Sequence, residues 1–277
     1  MSEEILKRYK IRAKKALWQN FLVNENIIEN IASIIDTTDK NIIEVWPWYW
    51  ALTEILLKQE LESLTLIELD SDMIKILDNR ILLWELESSN TNFEIKNLDV
   101  LRYIPEFSKY SVIANIPYYI TSPILTHFLY KLEKAPDEMV ILMQKDVWDK
   151  ILDIFKDKKP KSSVIWLMMA KKSFVTEELF VAKENFVPAP KVESSVLKFV
   201  SHNKFNNIDD KDFLRIIKIW FSSARKKLIK NFINSWFEKN SILEIFNKLD
   251  INENIRWDAI WIEQWCELVD ELSKINI

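Results

Sequence analysis

Strand-length apolar runs alternate with helix-period stretches through residues 24–155. The runs at Asn41–Val45, Ser63–Leu69, Asn92–Asn97, Tyr110–Asn115 and Glu138–Gln144 predict strands. Between them, apolar residues recur at helical spacing over 24–36, 50–59, 71–83, 122–132 and 145–155. Strand and helix in strict alternation predict an α/β fold, a doubly wound, mostly parallel sheet with helices on both faces. Two further strands are expected near 163–180 and 194–200. The polar stretch SHNKFNNIDDKD at 201–212 reads as a linker, and 209–275 as helices only. The resulting division is a basic arm at 1–23, an α/β domain at 24–200 and a small all-helical domain at 201–277.

Composition changes this picture at one residue type. The chain of 277 residues has no glycine, where average usage near 7% predicts about 19. Glycine supplies φ > 0 and close backbone approach, and a mixed α/β protein is hard to build without it. The same chain has 12 tryptophans, and many fall where turns and helix ends want glycine. Trp46, Trp48 and Trp50 fill a strand-to-helix turn in IIEVWPWYWALT. Trp18 precedes QNFL, Trp84 follows an apolar helix tail, Trp236 follows FINS, and Trp220 and Trp257 flank polar stretches. These tryptophans are expected to stand at glycine positions. One mechanism is a gene whose UGA codons mean glycine in its own cell and tryptophan under another code, and the Ile-, Lys- and Asn-rich composition fits an AT-rich genome. Deliberate replacement is a second mechanism. True tryptophans in aromatic clusters are the third, and leave the missing glycines unexplained.

With glycine at 46, 48 and 50 the turn becomes E-V-G-P-G-Y-G-A-L-T, after the first strand of a doubly wound fold. Such a turn lets backbone approach a ligand closely, in nucleotide binders and methyltransferases alike. It lacks the G-x-G-x-x-G spacing of dinucleotide sites and fits S-adenosylmethionine enzymes better. Glu68 ends the next strand, about twenty residues on, where a carboxylate accepts both ribose hydroxyls of an adenosine. Asp99, after the third strand, can accept from an adenine amino group. Asn115 ends the fourth. These strand ends converge on the carboxyl edge of one sheet, where open α/β folds bind ligands.

Asn115-Ile116-Pro117-Tyr118 is the most specific stretch. The exocyclic N6 of adenine is a poor nucleophile because its lone pair is delocalised into the ring. An asparagine oxygen and a following backbone carbonyl can accept both N6 hydrogens and localise that lone pair. Proline fixes φ and removes a competing N–H. Tyrosine offers a flat face for an extruded base. Standing alone, N-x-P-Y reads equally as a strand ending in an X-Pro turn.

These stretches resemble the ribosomal RNA adenine N6-dimethyltransferase family. WQNFL at 18–22, EVWPWYWALT, IELD, NIPYYITSPI, MQKDV, FVPAPKVESSV and FSSARKKLIKNF stand in family order, with tryptophan in most motif glycine positions. The likeness covers essentially the whole chain and is nearest the small-subunit (16S) branch. It implies S-adenosylmethionine as methyl donor and two adjacent adenines of the 3′-terminal rRNA hairpin as substrate. It further implies that Gln19, Asn20 and Leu22 close over the methionine part, that Glu44 and the turn at Trp46 and Trp48 line the same end, and that Glu68 holds the ribose. Asp99 and Val100 would frame the adenine, Asn115 would touch cofactor and target amine, and Tyr118 and Phe186 would sandwich the flipped base. Phe186 without the motif reads as a core aromatic.

Charge and the remaining reactive residues add limits. Net charge is −4 and the pI about 5.5, so RNA binding rests on local patches. Candidates are Lys7–Lys15, Lys156–Lys161, and Arg225, Lys226, Lys227 and Lys230, the last matching the family's basic helix. His127 and His202 form no ligand cluster, and no metal is expected. Cys266 is the single cysteine, so no intrachain disulfide can form. No secretory signal or membrane span is read, and the expectation is a cytoplasmic monomer acting on small-subunit rRNA or the immature small subunit. Two alternatives stand: a resistance-type methyltransferase of large-subunit rRNA, and a non-catalytic ribosome-assembly or nucleic-acid-binding factor if the tryptophans are real.

Overall fold

The structure, a computed structural model, describes residues 2–11, 13–14, 19–47, 50–83, 85–86, 92–117, 120–149, 163–221, 228–235, 237–255 and 260–275. The chain divides into two compact units, Met1–Trp148 with Val175–Ser201, and Asp149–Phe174 with His202–Ile277.

The first unit is built on a seven-stranded sheet. Its strands are β2 (Asn41–Val45), β3 (Ser63–Glu68), β4 (Asn92–Asn97), β5 (Ser111–Asn115), β6 (Glu138–Gln144), β7 (Ser173–Val181) and β9 (Ser194–Ser201), in the order β4-β3-β2-β5-β6-β9-β7. Strands β2 to β6 pair in parallel, and β9 runs antiparallel to β6. A short ribbon of β1 (Phe21–Leu22) and β8 (Phe186–Val187) stands apart. Central strands are mostly apolar because both faces are covered: Ile42, Ile43, Leu64, Leu66, Val112, Ile113 and Met139 are buried. The chain order reverses between β2 and β5, which opens a cleft at their carboxyl ends.

Two helices of this unit carry side-chain caps that start them. α1 (Ser2–Arg8) gives the basic arm a helix that charge alone did not announce. In α2 (Glu25–Ser33), the Asn24 side chain caps the Ile27 N–H. α3 (Ala51–Leu56) follows the tryptophan-bearing turn. In α4 (Ser71–Leu82), Asp70 caps the Asp72 N–H, and Met73, Leu77 and Arg80 form the buried stripe. α5 (Thr121–Thr126) runs into one wider π turn, His127–Lys131.

The second unit is helical: α6 (Val164–Lys172), α7 (Asp210–Phe221), α8 (Leu228–Ile233), α9 (Lys239–Lys248) and α10 (Ile262–Ser273). Leu167, Phe213, Phe232, Phe246 and Trp265 form its core. Lys171 is buried in it, donating to the Ile208 carbonyl (2.9 Å) and pairing with Asp210 at 2.5 Å. The strand expected from residue 163 begins instead at Ser173, and 164–172 is helix. Val164–Ala170 is apolar at every position, and such a run has no period to separate strand from helix. The Ser163 hydroxyl, accepting from the Trp166 N–H, starts it as a helix. Among the described residues, no helix is long and apolar enough to cross a membrane.

Candidate active site

The parallel register brings the predicted strand-end residues to one edge. Glu44 lies beside Leu66 on one flank and Ile113 on the other, and Glu68 faces Asn97. The Asn97 amide donates to the Glu68 and Leu69 carbonyls (2.9 and 3.3 Å), closing the β3–β4 edge. Glu68 is buried, and its Oε1 accepts the Asp70 N–H at 2.8 Å. Asp99 caps the turn that carries buried Val100, accepting from the Leu101 N–H at 3.0 Å. Asn115, half-buried, ends β5, and Pro117 is buried behind it with its carbonyl accepting from Ile120.

Glu44 is the electrostatic anomaly. It is fully enclosed, and its Oε2 accepts a 2.7 Å bond from the Thr53 hydroxyl. Burial pushes its carboxyl up to about 8, Glu68 nearby adds to this, and the Thr53 bond opposes it.

The arm reaches the same edge through contacts that no local pattern announces. Buried Gln19 accepts the Lys14 N–H through Oε1 at 2.8 Å and approaches Asp70 at 3.4 Å through Nε2. Lys14 Nζ bridges Asp70 and Asp72, 2.7 Å from each. Leu22, in β1, lies opposite Phe186, and the Asn24 amide donates to Asn185 Oδ1 at 2.8 Å. Segment 20–24 is thereby pinned to 185–187. Phe186 is buried at this seam, while its neighbour Val187 is exposed. Asn20 is half-buried beside Gln19. In the first basic patch Lys14 is bound by these carboxylates and Arg8 by Glu85 at 2.6 Å. Trp48, Tyr118, Arg225, Lys226, Lys227 and 156–161 lie outside the described residues. Lys230 is exposed on α8.

The turn itself is strained. Trp46 has φ 56° and Trp50 φ 68°, both left-handed. The Trp46 N–H donates to the Ile67 carbonyl and the Trp50 N–H to the Pro47 carbonyl, at 3.0 and 2.8 Å. Each such residue with a Cβ costs roughly 1–2 kcal/mol. Trp50 is wholly buried, and its indole N–H has no partner among the described residues.

These observations test the fit of S-adenosylmethionine. The donor set fits an adenosine: Glu68 and Asp99 follow adjacent strands, and Asn115 stands across the cleft. The turn does not fit. Glu44, Trp46, Pro47, Leu22 and Asn115 line a cavity of about 30 Å³, whereas pockets for molecules of drug size measure roughly 300–1,000 Å³. Trp46 forms part of the wall where backbone would have to meet ligand.

Elsewhere the reactive side chains are occupied. His127 Nε2 meets the Tyr103 carbonyl at 2.9 Å, and burial lowers its pKa. His202 Nε2 meets the Ala170 carbonyl at 3.2 Å. Burial pushes the Cys266 thiol up to about 12, which leaves it unreactive. Among the described residues, no group of three or more histidine, cysteine or carboxylate side chains could hold a metal ion.

The family model for ribosomal RNA adenine dimethylase matches residues 10–274. The ribosomal RNA small subunit methyltransferase A of Mycoplasmopsis pulmonis is 35% identical, over 95% of this chain and 100% of its own. Its counterpart from Prochlorococcus marinus is 33% identical over 95% and 97%. Among solved structures, a dimethyladenosine transferase from Plasmodium falciparum shares the fold with a TM-score of 0.75 at 23% identity, covering 92% of this chain and 98% of its own. The 23S rRNA methyltransferase ErmE shares it at 0.68 and 19% identity, over 92% and 100%.

Proposed function

The chain belongs to the ribosomal RNA adenine dimethylase family, and from that premise we propose that it dimethylates N6 of two adjacent adenines in the 3′-terminal hairpin of small-subunit (16S) rRNA. S-adenosylmethionine supplies the methyl groups. The observation that carries this reading is the convergence of Glu44, Glu68, Asp99 and Asn115 on one sheet edge, beside the Asn115–Pro117 loop.

Each residue then has work that its chemistry suits. The Asn115 side-chain oxygen and the Ile116 carbonyl accept the two N6 hydrogens of the target adenine and turn its lone pair outward. Pro117 holds that carbonyl in place. Tyr118 and Phe186 stack on the extruded base, with Phe186 released from its seam opposite Leu22. Glu68 takes the ribose hydroxyls, Asp99 and Val100 the adenine of the donor, and Gln19, Asn20 and Leu22 cover its other end. Transfer needs positioning and electrostatics alone. Arg225, Lys226, Lys227 and Lys230 of the helical domain grip rRNA phosphates. The enzyme works as a monomer on the immature small subunit, in the cytoplasm.

The test uses protein isolated from its own cells, with labelled S-adenosylmethionine and separated ribosomal subunits that lack the modification. N6,N6-dimethyladenosine in small-subunit rRNA is expected. Label in the large subunit would turn the reading toward a resistance-type enzyme. The Trp46 side chain in the cavity wall favours a second reading, a non-catalytic RNA-binding factor, for which neither subunit would be labelled.

A further inference from the structure

We infer that residues 46 and 50 are glycine in the protein that the living cell makes. Three independent observations converge here. The chain has no glycine and 12 tryptophans. Among the described residues, positive φ occurs at Lys10, Asp39, Trp46, Trp50 and Asp250. Aspartate visits this region readily, and Lys10 enters it where the chain closes off α1, its neighbour Ile11 donating to the Leu6 carbonyl at 2.9 Å; a bulky aromatic is a clear outlier there. Lastly, the backbone of the turn is well made without the indoles: its N–H groups reach Ile67 and Pro47, while the Trp50 indole N–H is buried with no partner among the described residues.

The tryptophans are not all alike. Trp166 and Trp265 lie within α6 and α10, and Trp261 precedes α10 at φ −77°. Backbone geometry at these positions does not require glycine. Among the described tryptophans, those at positive φ are Trp46 and Trp50 of the turn. Removing the side chain of Trp46 takes away a wall of the 30 Å³ cavity, on the side where Glu44 and Asn115 face it. This consequence for ligand binding rests on the methyltransferase reading, whereas the identity of the residues does not. A codon read as glycine in the native cell accounts for both the missing and the surplus residues.

The tryptic peptide Asn41–Lys58, recovered from protein purified from its own cells, tests the inference directly. Fragment masses with glycine at 46 and 50 are expected, and tryptophan at either would overturn it. The intact mass of the same sample counts how many of the other tryptophans are exchanged. Calorimetry with S-adenosylmethionine then compares the chain as read with a Trp46→Gly, Trp48→Gly, Trp50→Gly variant, position 48 being included because it shares the turn. Binding by the variant alone is expected, and equal binding by both would overturn the steric argument. A variant that binds S-adenosylmethionine yet methylates neither ribosomal subunit would sink the proposed function and leave the inference standing.

Discussion

Glu44 illustrates how one buried carboxyl sets a pH dependence. The unfolded chain releases this proton near 4.5, and the native state keeps it to about 8. Between those values the unfolded state binds fewer protons, so stability falls as pH rises. The contribution is fully present below pH 4.5 and is lost through pH 8, on the order of a few kcal/mol. Denaturant unfolding across pH 4–9 should therefore show a falling limb that Glu44→Gln flattens. An unchanged limb would mean that Glu44 is ionised in the native protein. Glu68 was legible in the sequence because it ends an apolar strand, and Asp99 because it follows the next strand, whereas Glu44 was reached only through the resemblance to the family. The Thr53 bond to Glu44 was not legible, since nothing in a strand or helix pattern announces a side chain nine residues on.

The elements divide in the same way between what periodicity announces and what it hides. Strands β2, β4 and β6 have the bounds their apolar runs predict. Asn24 and Asp70 cap the helices that follow them. Asn24 also holds Asn185, beside Phe186. Asn24→Ala should thus lower stability by about 1 kcal/mol for the lost cap, with a further loss from the 185–187 seam, read as a shift in the denaturation midpoint. A neutral result would assign both bonds to solvent-exchanged surface. Helix α6 and the tether of Lys14 to Asp70 escaped the sequence for different reasons. The first has no polar face to give a period, and the second joins residues 56 apart.

For the whole molecule, an acidic total charge coexists with RNA as substrate only if basic groups are segregated. Arg8 and Lys14 are already engaged by carboxylates, and the phosphate contacts proposed above are those of residues 225–230. Arg225→Glu with Lys226→Glu should weaken binding to small-subunit rRNA and flatten its dependence on salt, because fewer counterions are released. Binding titrations at several salt concentrations measure this slope. An unaltered slope would remove this segment from the RNA footprint.

Among the described residues, β4 borders the sheet with no strand on its outer side, a template on which a second copy could add a strand. Its exposed Glu94 and its neighbour Lys96, paired at 2.6 Å, put charge along that border. Charge on that border disfavours pairing with the same strand of a second copy. Replacing both residues with valine should leave the fold intact, yet raise light scattering as concentration increases.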